Sequence, residues 1–207
     1  TGMRPDKNYT FYVGVDIGGT HVRISSQVAT EAAQVPAVRK VQFKKATSAE
    51  QEVEYICDAI DEVLKQDASP PHILSGIGVS LAGIFDRSTG DIVNWPNNPL
   101  WNGFAFRKYM TTRFGARVVL EDDANAAALG ELHFGKGVGH SNLAYITIGT
   151  GIGCGFIFNG QLFTGDNGWA GEIGHIQLVK DGPRCVCGSN GCLQALASGR
   201  ALMARIG

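Results

Sequence analysis

Apolar and polar positions alternate from Tyr9 to Ile17, with Tyr9, Phe11, Val13, Val15 and Ile17 on one side. That period of two is the mark of a half-buried strand. The pattern resumes over His21–Val28, so Gly18-Gly19-Thr20 between them reads as a hairpin turn. A third strand is expected over Val38–Phe43. The period then lengthens: Val53, Ile56, Ile60, Val63 and Leu64 share one helical face. Both Thr47-x-x-Glu50 and Ser48-x-x-Gln51 offer a capping box for the start of that helix. Ser69-Pro70-Pro71 breaks the chain before a strand over Ile73–Leu81. In that strand Gly76 and Gly78 flank Ile77 and suggest a close backbone approach near a ligand. Residues 83–101 carry no period and read as loop. Strands at Arg117–Leu120, Leu143–Ile148 and 154–158, with helices at Ala126–Phe134 and Leu196–Ile206, complete the expected elements.

The totals narrow the possibilities. With 207 residues, 44% of them hydrophobic, the chain can bury a sizeable core in one domain or two small ones. A formal charge of −1 and no long Lys or Arg run argue against a nucleic-acid-coating protein. No apolar run approaches the ~18 residues of a membrane span, and no charged-then-apolar leader begins the sequence. A cytoplasmic location with reduced thiols is therefore expected. Glycine is abundant at 28 residues, about twice the usual ~7%. These glycines gather in loops beside strands, where enzymes bring backbone close to phosphates and sugars.

Chemistry concentrates between Gly168 and Gln194. Glu172-Ile-Gly-His175 is followed by Cys185-Val-Cys187-Gly-Ser-Asn-Gly-Cys192, which places three of the five cysteines within eight residues. One histidine and three thiolates match the four N/S ligands of a structural zinc. A disulfide framework and unrelated buried thiols are the competing readings; zinc is favoured because nothing else looks secreted and because the thiols cluster. Cys57 and Cys154 read as structural thiols. Asp16-Ile-Gly18-Gly19-Thr20 could hold phosphate on backbone N–H groups with its carboxylate near Mg²⁺, or be a plain hairpin turn. Gly149-Thr150-Gly151 repeats the plan of strand, glycine–threonine turn, strand. Asn94-Trp-Pro-Asn97-Asn-Pro-Leu-Trp101 offers amides and indoles of the kind that meet sugar hydroxyls and C–H edges, against a solvated proline-rich loop. Gly130 to Gly137 imitates a Walker loop, but Gly137 stands where Ser or Thr is required, so a P-loop fold is excluded.

The pair Glu172-x-Gly-His175 and Cys185-x-Cys187-Gly-x-x-Gly-Cys192 resembles the ROK family, which joins sugar kinases such as bacterial glucokinases and N-acetylmannosamine kinases to sugar-responsive repressors. The resemblance covers nearly all of residues 9–207. It implies an α/β fold of the ribonuclease-H-like, actin/hexokinase type. The first domain would span 9–120, and an incomplete second, with the zinc loop, 121–207. It implies ATP-dependent phosphorylation of a hexose or N-acetylhexosamine, at the 6-hydroxyl, with Asp123 as catalytic base. Gly83, Asn97, Asp122, Glu172, His175 and Gln194 would contact the sugar. Asp16, Gly18, Gly19, Thr20, Gly149, Thr150 and Gly151 would meet the ATP phosphates and Mg²⁺, and His175, Cys185, Cys187 and Cys192 would hold Zn²⁺. Two positions depart from the family pattern: Asp122 replaces an asparagine and Gln194 a glutamate. The implied partners are a small-molecule sugar and, at full length, a second copy in a homodimer or higher homo-oligomer, without nucleic acid or membrane. ROK kinases continue past residue 207 with an adenosine-binding segment, so this stretch alone is expected to bind ATP hardly at all. A sugar-responsive transcriptional regulator and a non-catalytic sugar-binding remnant are the alternatives. About eight residues before the first strand are too few for a helix-turn-helix.

Overall fold

The computed structural model describes residues 9–28, 37–67 and 72–206; the expected break at Ser69-Pro70-Pro71 lies outside them. Two compact units follow one another along the chain, the first ending at Asp122 and the second beginning at Asp123.

The first unit is built on a sheet of β1 (Tyr9–Ile17), β2 (His21–Val28), β3 (Arg39–Gln42), β4 (His72–Leu81) and β7 (Arg117–Glu121), ordered β3-β2-β1-β4-β7. Strands β1 to β3 form an antiparallel meander, while β1, β4 and β7 run parallel. Helix α1 (Ala49–Asp67) makes the crossover from the meander to β4. Its start is capped by Ser48, whose Oγ accepts the Gln51 N–H at 3.2 Å, while Gln51 Oε1 accepts the Thr47 N–H at 3.3 Å. Of the two possible boxes, the second therefore forms, reaching back one residue further than usual. The buried stripe of α1 (Val53, Ile56, Ile60, Val63) joins Val13, Val15, Ile17, Val22, Ile77, Val79 and Leu81 in one core. A short hairpin of β5 (Ile84–Phe85) and β6 (Ile92–Asn94) follows β4.

Helix α2 (Phe106–Phe114) occupies a segment to which the sequence reading assigned nothing. Only Phe106 and Met110 bury one side of it, too short a stripe to stand out. Its end is closed by Gly115 at φ 63°, whose N–H reaches Thr111 O. Arg113 ties α2 to α1 through Glu54 (3.0 Å) and Asp61 (2.6 Å).

In the second unit, α3 (Asp123–Phe134) packs on the antiparallel sheet of β8 (Leu143–Ile148), β9 (Ile152–Phe158) and β10 (Gln161–Phe163), ordered β10-β9-β8. The seat for α3 is Gly155: a β-carbon there would lie 2.6 Å from Ala124 O and 2.7 Å from Ala128 Cβ. The other sheet face leaves Ile146, Ile148 and Phe158 exposed. Helix α3 starts three residues earlier than the expected Ala126. The last expected helix is two, α4 (Leu193–Ala197) and α5 (Gly199–Ile206), parted at Ser198 in extended backbone.

Candidate functional site

In a mixed sheet, loops at the carboxyl ends of the parallel strands are where ligands bind. Here β1 runs out into Gly18-Gly19-Thr20, β4 into Gly83 and the hairpin beyond it, and β7 into Asp122. A polar row crosses the sheet just before these exits. In register, Arg23 stands opposite Asp16, Asp16 opposite Ser80, and Ser80 opposite Glu121. Arg23 donates to Asp16 Oδ2 at 2.7 Å and Ser80 Oγ to Oδ1 at 3.1 Å. At the far end Arg87 grips Glu121 with two bonds of 2.6 and 2.9 Å, and Glu121 Oε1 accepts the Asp122 N–H at 3.0 Å. The guanidinium of Arg87 is held above its ordinary value, first by that bond to Glu121. Its positive charge offsets part of the repulsion among three consecutive carboxylates.

The loop after β6 brings a second predicted group to the same edge. A β-carbon on Gly19 would lie 3.5 Å from Asn97 Cβ and Cγ, so Asn97 sits directly beside the first glycine turn. Asn97 itself is exposed. Its neighbours are not: Trp95 and Trp101 are fully buried and Asn98 is 6% exposed. The indoles, read from sequence as surfaces for sugar C–H edges, are instead core residues packed on each other and on Phe43 and Phe106. The loop is mixed: Asn94, Pro96, Asn97, Pro99 and Leu100 face solvent, while Trp95, Asn98 and Trp101 anchor it in the core. Gly83 packs against Trp95, with a β-carbon there falling 3.2 Å from the indole Cδ1. Thr20 is pinned from the other side, its carbonyl accepting the Phe43 N–H at 2.9 Å.

In the second unit, residues 176–193 fold back on themselves through Leu193 N–H to Ile176 O, Leu178 N–H to Gly191 O and Cys185 N–H to Ser189 O. Gly191 makes the closure possible: its φ is 65°, and a β-carbon there would overlap Val179 O. The result is a cluster in which ligand atoms of His175, Cys185, Cys187 and Cys192 all lie within 4.8 Å of one another. Cys185 and Cys192 are buried and Cys187 exposed. Cys187 and Cys192 sulfurs are 3.8 Å apart, and Cys185 Sγ is 3.5 Å from His175 Nδ1. A tetrahedral zinc with Zn–S of about 2.3 Å and Zn–N of about 2.0–2.1 Å has S···S edges of about 3.8 Å and S···N edges of about 3.5 Å. The four side chains fit such an ion. A disulfide needs its sulfurs at about 2.05 Å, and all five cysteines are free.

The thiols are unequal. The Ser189 N–H, then Cys185 and Cys192, pull Cys187 down to about 6, while burial, then Cys185 and Cys187, push Cys192 up to about 12. Around the cluster, His175 Nε2 faces Glu172 Oε2 at 3.8 Å, an ion-pair distance longer than a hydrogen bond. Gln194 points two ways: its Nε2 donates to Cys185 Sγ and its Oε1 accepts the Ile152 N–H, each at 3.4 Å. Ile152 directly follows the Gly149–Gly151 turn. Gly149 O also accepts the Gly199 N–H at 2.7 Å. The second glycine turn and the cysteine cluster are thus one connected piece of structure.

Each predicted group therefore has a place within its own unit. Asp16, Gly18, Gly19, Thr20, Gly83, Asn97 and Asp122 lie at the carboxyl edge of the first sheet. Gly149 to Gly151, Glu172, His175 and Gln194 lie around the cysteine cluster. Asp123 is the first residue of α3. Sequence reasoning missed Ser80, Arg23 and Arg87, which hold Asp16 and Glu121, and missed the buried Glu52. Only Glu52 had a local signal, an acidic residue on the apolar stripe of α1.

Against known proteins, residues 12–207 match the model of the ROK family. A glucokinase of Streptomyces coelicolor is 40% identical over 191 residues, 92% of this chain and 57% of its own length. The xylose repressor of Bacillus subtilis is 31% identical over 207 residues, 98% of this chain and 53% of its own length. Among solved structures, a ROK family glucokinase from Streptomyces griseus in complex with glucose and AMPPNP superposes with a TM-score of 0.76 at 38% identity, over 94% of this chain and 59% of that one. The chain spans little more than half the length of the relatives it matches.

Proposed function

The chain belongs to the ROK family, with its ribonuclease-H-like, actin/hexokinase-type α/β fold, and on that premise we propose that it is the sugar-binding and catalytic part of an ATP-dependent sugar kinase. The acceptor is the 6-hydroxyl of a hexose or N-acetylhexosamine. The observation that carries this reading is the carboxyl edge of the first sheet, where Asn97 packs on the Asp16–Thr20 turn, with Asp122 following β7 at the same edge. A pure binding module has no need of a phosphate-type glycine turn touching its sugar amide.

In this reading Asn97 and Glu172 bind sugar hydroxyls, with Gly83 letting the chain pass closely. Asp123 accepts the hydroxyl proton as the sugar oxygen attacks the γ-phosphorus, and ADP departs from the opposite side. Backbone N–H groups of the two glycine turns receive the phosphate oxygens; such transfer depends on positioning and electrostatics more than on covalent chemistry. Asp16 would hold Mg²⁺ arriving with the nucleotide, an ion that would neutralise phosphate charge: the carboxylate is 42% exposed and each oxygen keeps acceptor capacity beyond its single bond. His175, Cys185, Cys187 and Cys192 would hold Zn²⁺ as a structural ion, since four protein ligands would leave no open position for chemistry. Among the described residues no helix is long and apolar enough to cross a membrane.

The similarity to a xylose repressor supports a second reading, sugar binding without turnover. An ADP-release assay on the full-length protein with glucose and with N-acetylmannosamine separates the two. Sugar-dependent turnover is expected; saturable sugar binding with no ADP release would replace the kinase by the sensor.

A further inference from the structure

We propose that Glu52 is the positioning residue of the sugar site, acting through the loop that carries Asn97. The proposal rests on the reading of Asn97 as a hexose contact. Glu52 lies in α1, is 1% exposed, and takes no part in the chemistry described so far. A carboxylate buried this deeply is costly unless its acceptors are filled. Three donors fill them. Oε1 accepts the Ala46 N–H at 3.0 Å, and Oε2 accepts the Trp101 Nε1–H at 2.7 Å and the Asn98 Nδ2–H in a short contact.

Two of those donors belong to the Asn97 loop, one of them the very next residue. The loop's own bonds complete the frame: Asn98 N–H to Trp95 O, Trp101 N–H to Asn98 O, and Trp95 N–H to Asn102 Oδ1. The third donor, Ala46, stands three residues after Phe43, whose backbone holds Thr20 and whose ring packs on Trp95. One buried carboxylate thereby braces both walls of the notch where Asn97 meets Gly19. The chemistry demanded is specific, because three donors and no acceptor converge. Only an acceptor-only group satisfies them, and a carboxamide would turn an NH₂ against at least one N–H.

The test compares Glu52→Gln, Glu52→Asp, Asn97→Ala, the double variant Glu52→Gln/Asn97→Ala and the exposed-residue control Glu50→Gln, all in the full chain. Glucose affinity is read by calorimetry, and kcat and KM by ADP release. Glu52→Gln should raise the glucose Kd and KM by roughly 10-fold, the scale of one hydrogen bond lost at a displaced Asn97, with kcat within a few fold. Glu52→Asp, still acceptor-only, should restore part of the loss, and Glu50→Gln should change nothing. If Glu52 acts through Asn97, the double variant should bind no worse than Asn97→Ala. Should Glu52→Gln fail to fold, Glu52→Asp carries the test with an intermediate Kd. Unchanged glucose affinity in the folded Glu52 variants, while Asn97→Ala weakens it, would overturn the proposal and leave the sugar reading standing. Unchanged affinity in Asn97→Ala would overturn both.

Discussion

The two glycine turns have the same design in sequence, strand then glycine–threonine turn then strand, yet they are held by different physics. The turn after Asp16 belongs to the central strand of a five-stranded sheet and is steadied by side chains on both neighbouring strands, Arg23 and Ser80. The turn at Gly149–Gly151 belongs to a three-stranded sheet and is steadied from behind by Gln194 and Gly199. Gln194 in turn leans on Cys185 of the cysteine cluster. The first turn thus draws its order from partner strands of a sheet seated on a large core, and the second from a small loop. Small apolar cores need staples, and here three thiols and an imidazole are available as the staple.

The largest expected effect breaks that contrast open. Zinc removal by chelator, or Cys192→Ser, should strip amide-exchange protection from β8, β9 and residues 173–197, while β1 and β4 keep theirs within a few fold. Structural zinc contributes about 10–16 kcal/mol in small domains, far more than the second unit's few buried apolar residues can replace. Elemental analysis should find about one zinc per chain. Protein without zinc, or equal loss in both units, would refute the division.

Next in size is a pair of glycines. Gly155→Ala should cost about 1–3 kcal/mol, because the new methyl meets the backbone of α3. Gly78→Ala in β4, where a β-carbon meets nothing within 4 Å, should be neutral or slightly stabilising on this chain. Urea titration of both variants checks this, and equal costs would contradict the tighter packing of α3 on β9.

Smaller still is an acid effect confined to the first unit. The Tyr109 hydroxyl first, then Arg113, hold the Glu54 carboxyl below its ordinary value. A depressed carboxyl contributes stability that is present above its unfolded value, about 4.3, and lost as pH falls through the lower folded value. Glu54→Gln should flatten that acid slope. With these side chains a third exposed, the effect is below about 1 kcal/mol. Identical acid unfolding curves for wild type and variant would remove the cause. Smallest is Arg23→Ala. Its ion pair with Asp16 is about half exposed, so melting should barely move, and any loss should fall on nucleotide affinity instead.

How far the sequence revealed this depends on the range of the interaction. The strand β1, the α1 stripe and the Ser48–Gln51 cap are local patterns, and they read off directly. So did the cysteine cluster, because its sulfurs are near neighbours along the chain. Ser80 and Arg23 were invisible as partners of Asp16, since their contact depends on strand register across 64 and 7 residues. Trp95 and Trp101 were misread for a related reason. An aromatic between prolines and asparagines looks exposed until Phe43 and Glu52, both distant in sequence, are seen to close over it together with Phe106. Helix α2 is too short and too polar for its period to register.

The central claim is that Asp123 takes the proton in sugar phosphorylation. Asp123→Asn in the full-length protein is its most direct test, with glucose-dependent ADP release and glucose affinity measured side by side. The amide keeps the shape and loses the base, so turnover should fall by about 10²–10⁴-fold while glucose affinity stays within a few fold. Turnover near the wild-type rate would remove Asp123 from the mechanism and leave the base to another group.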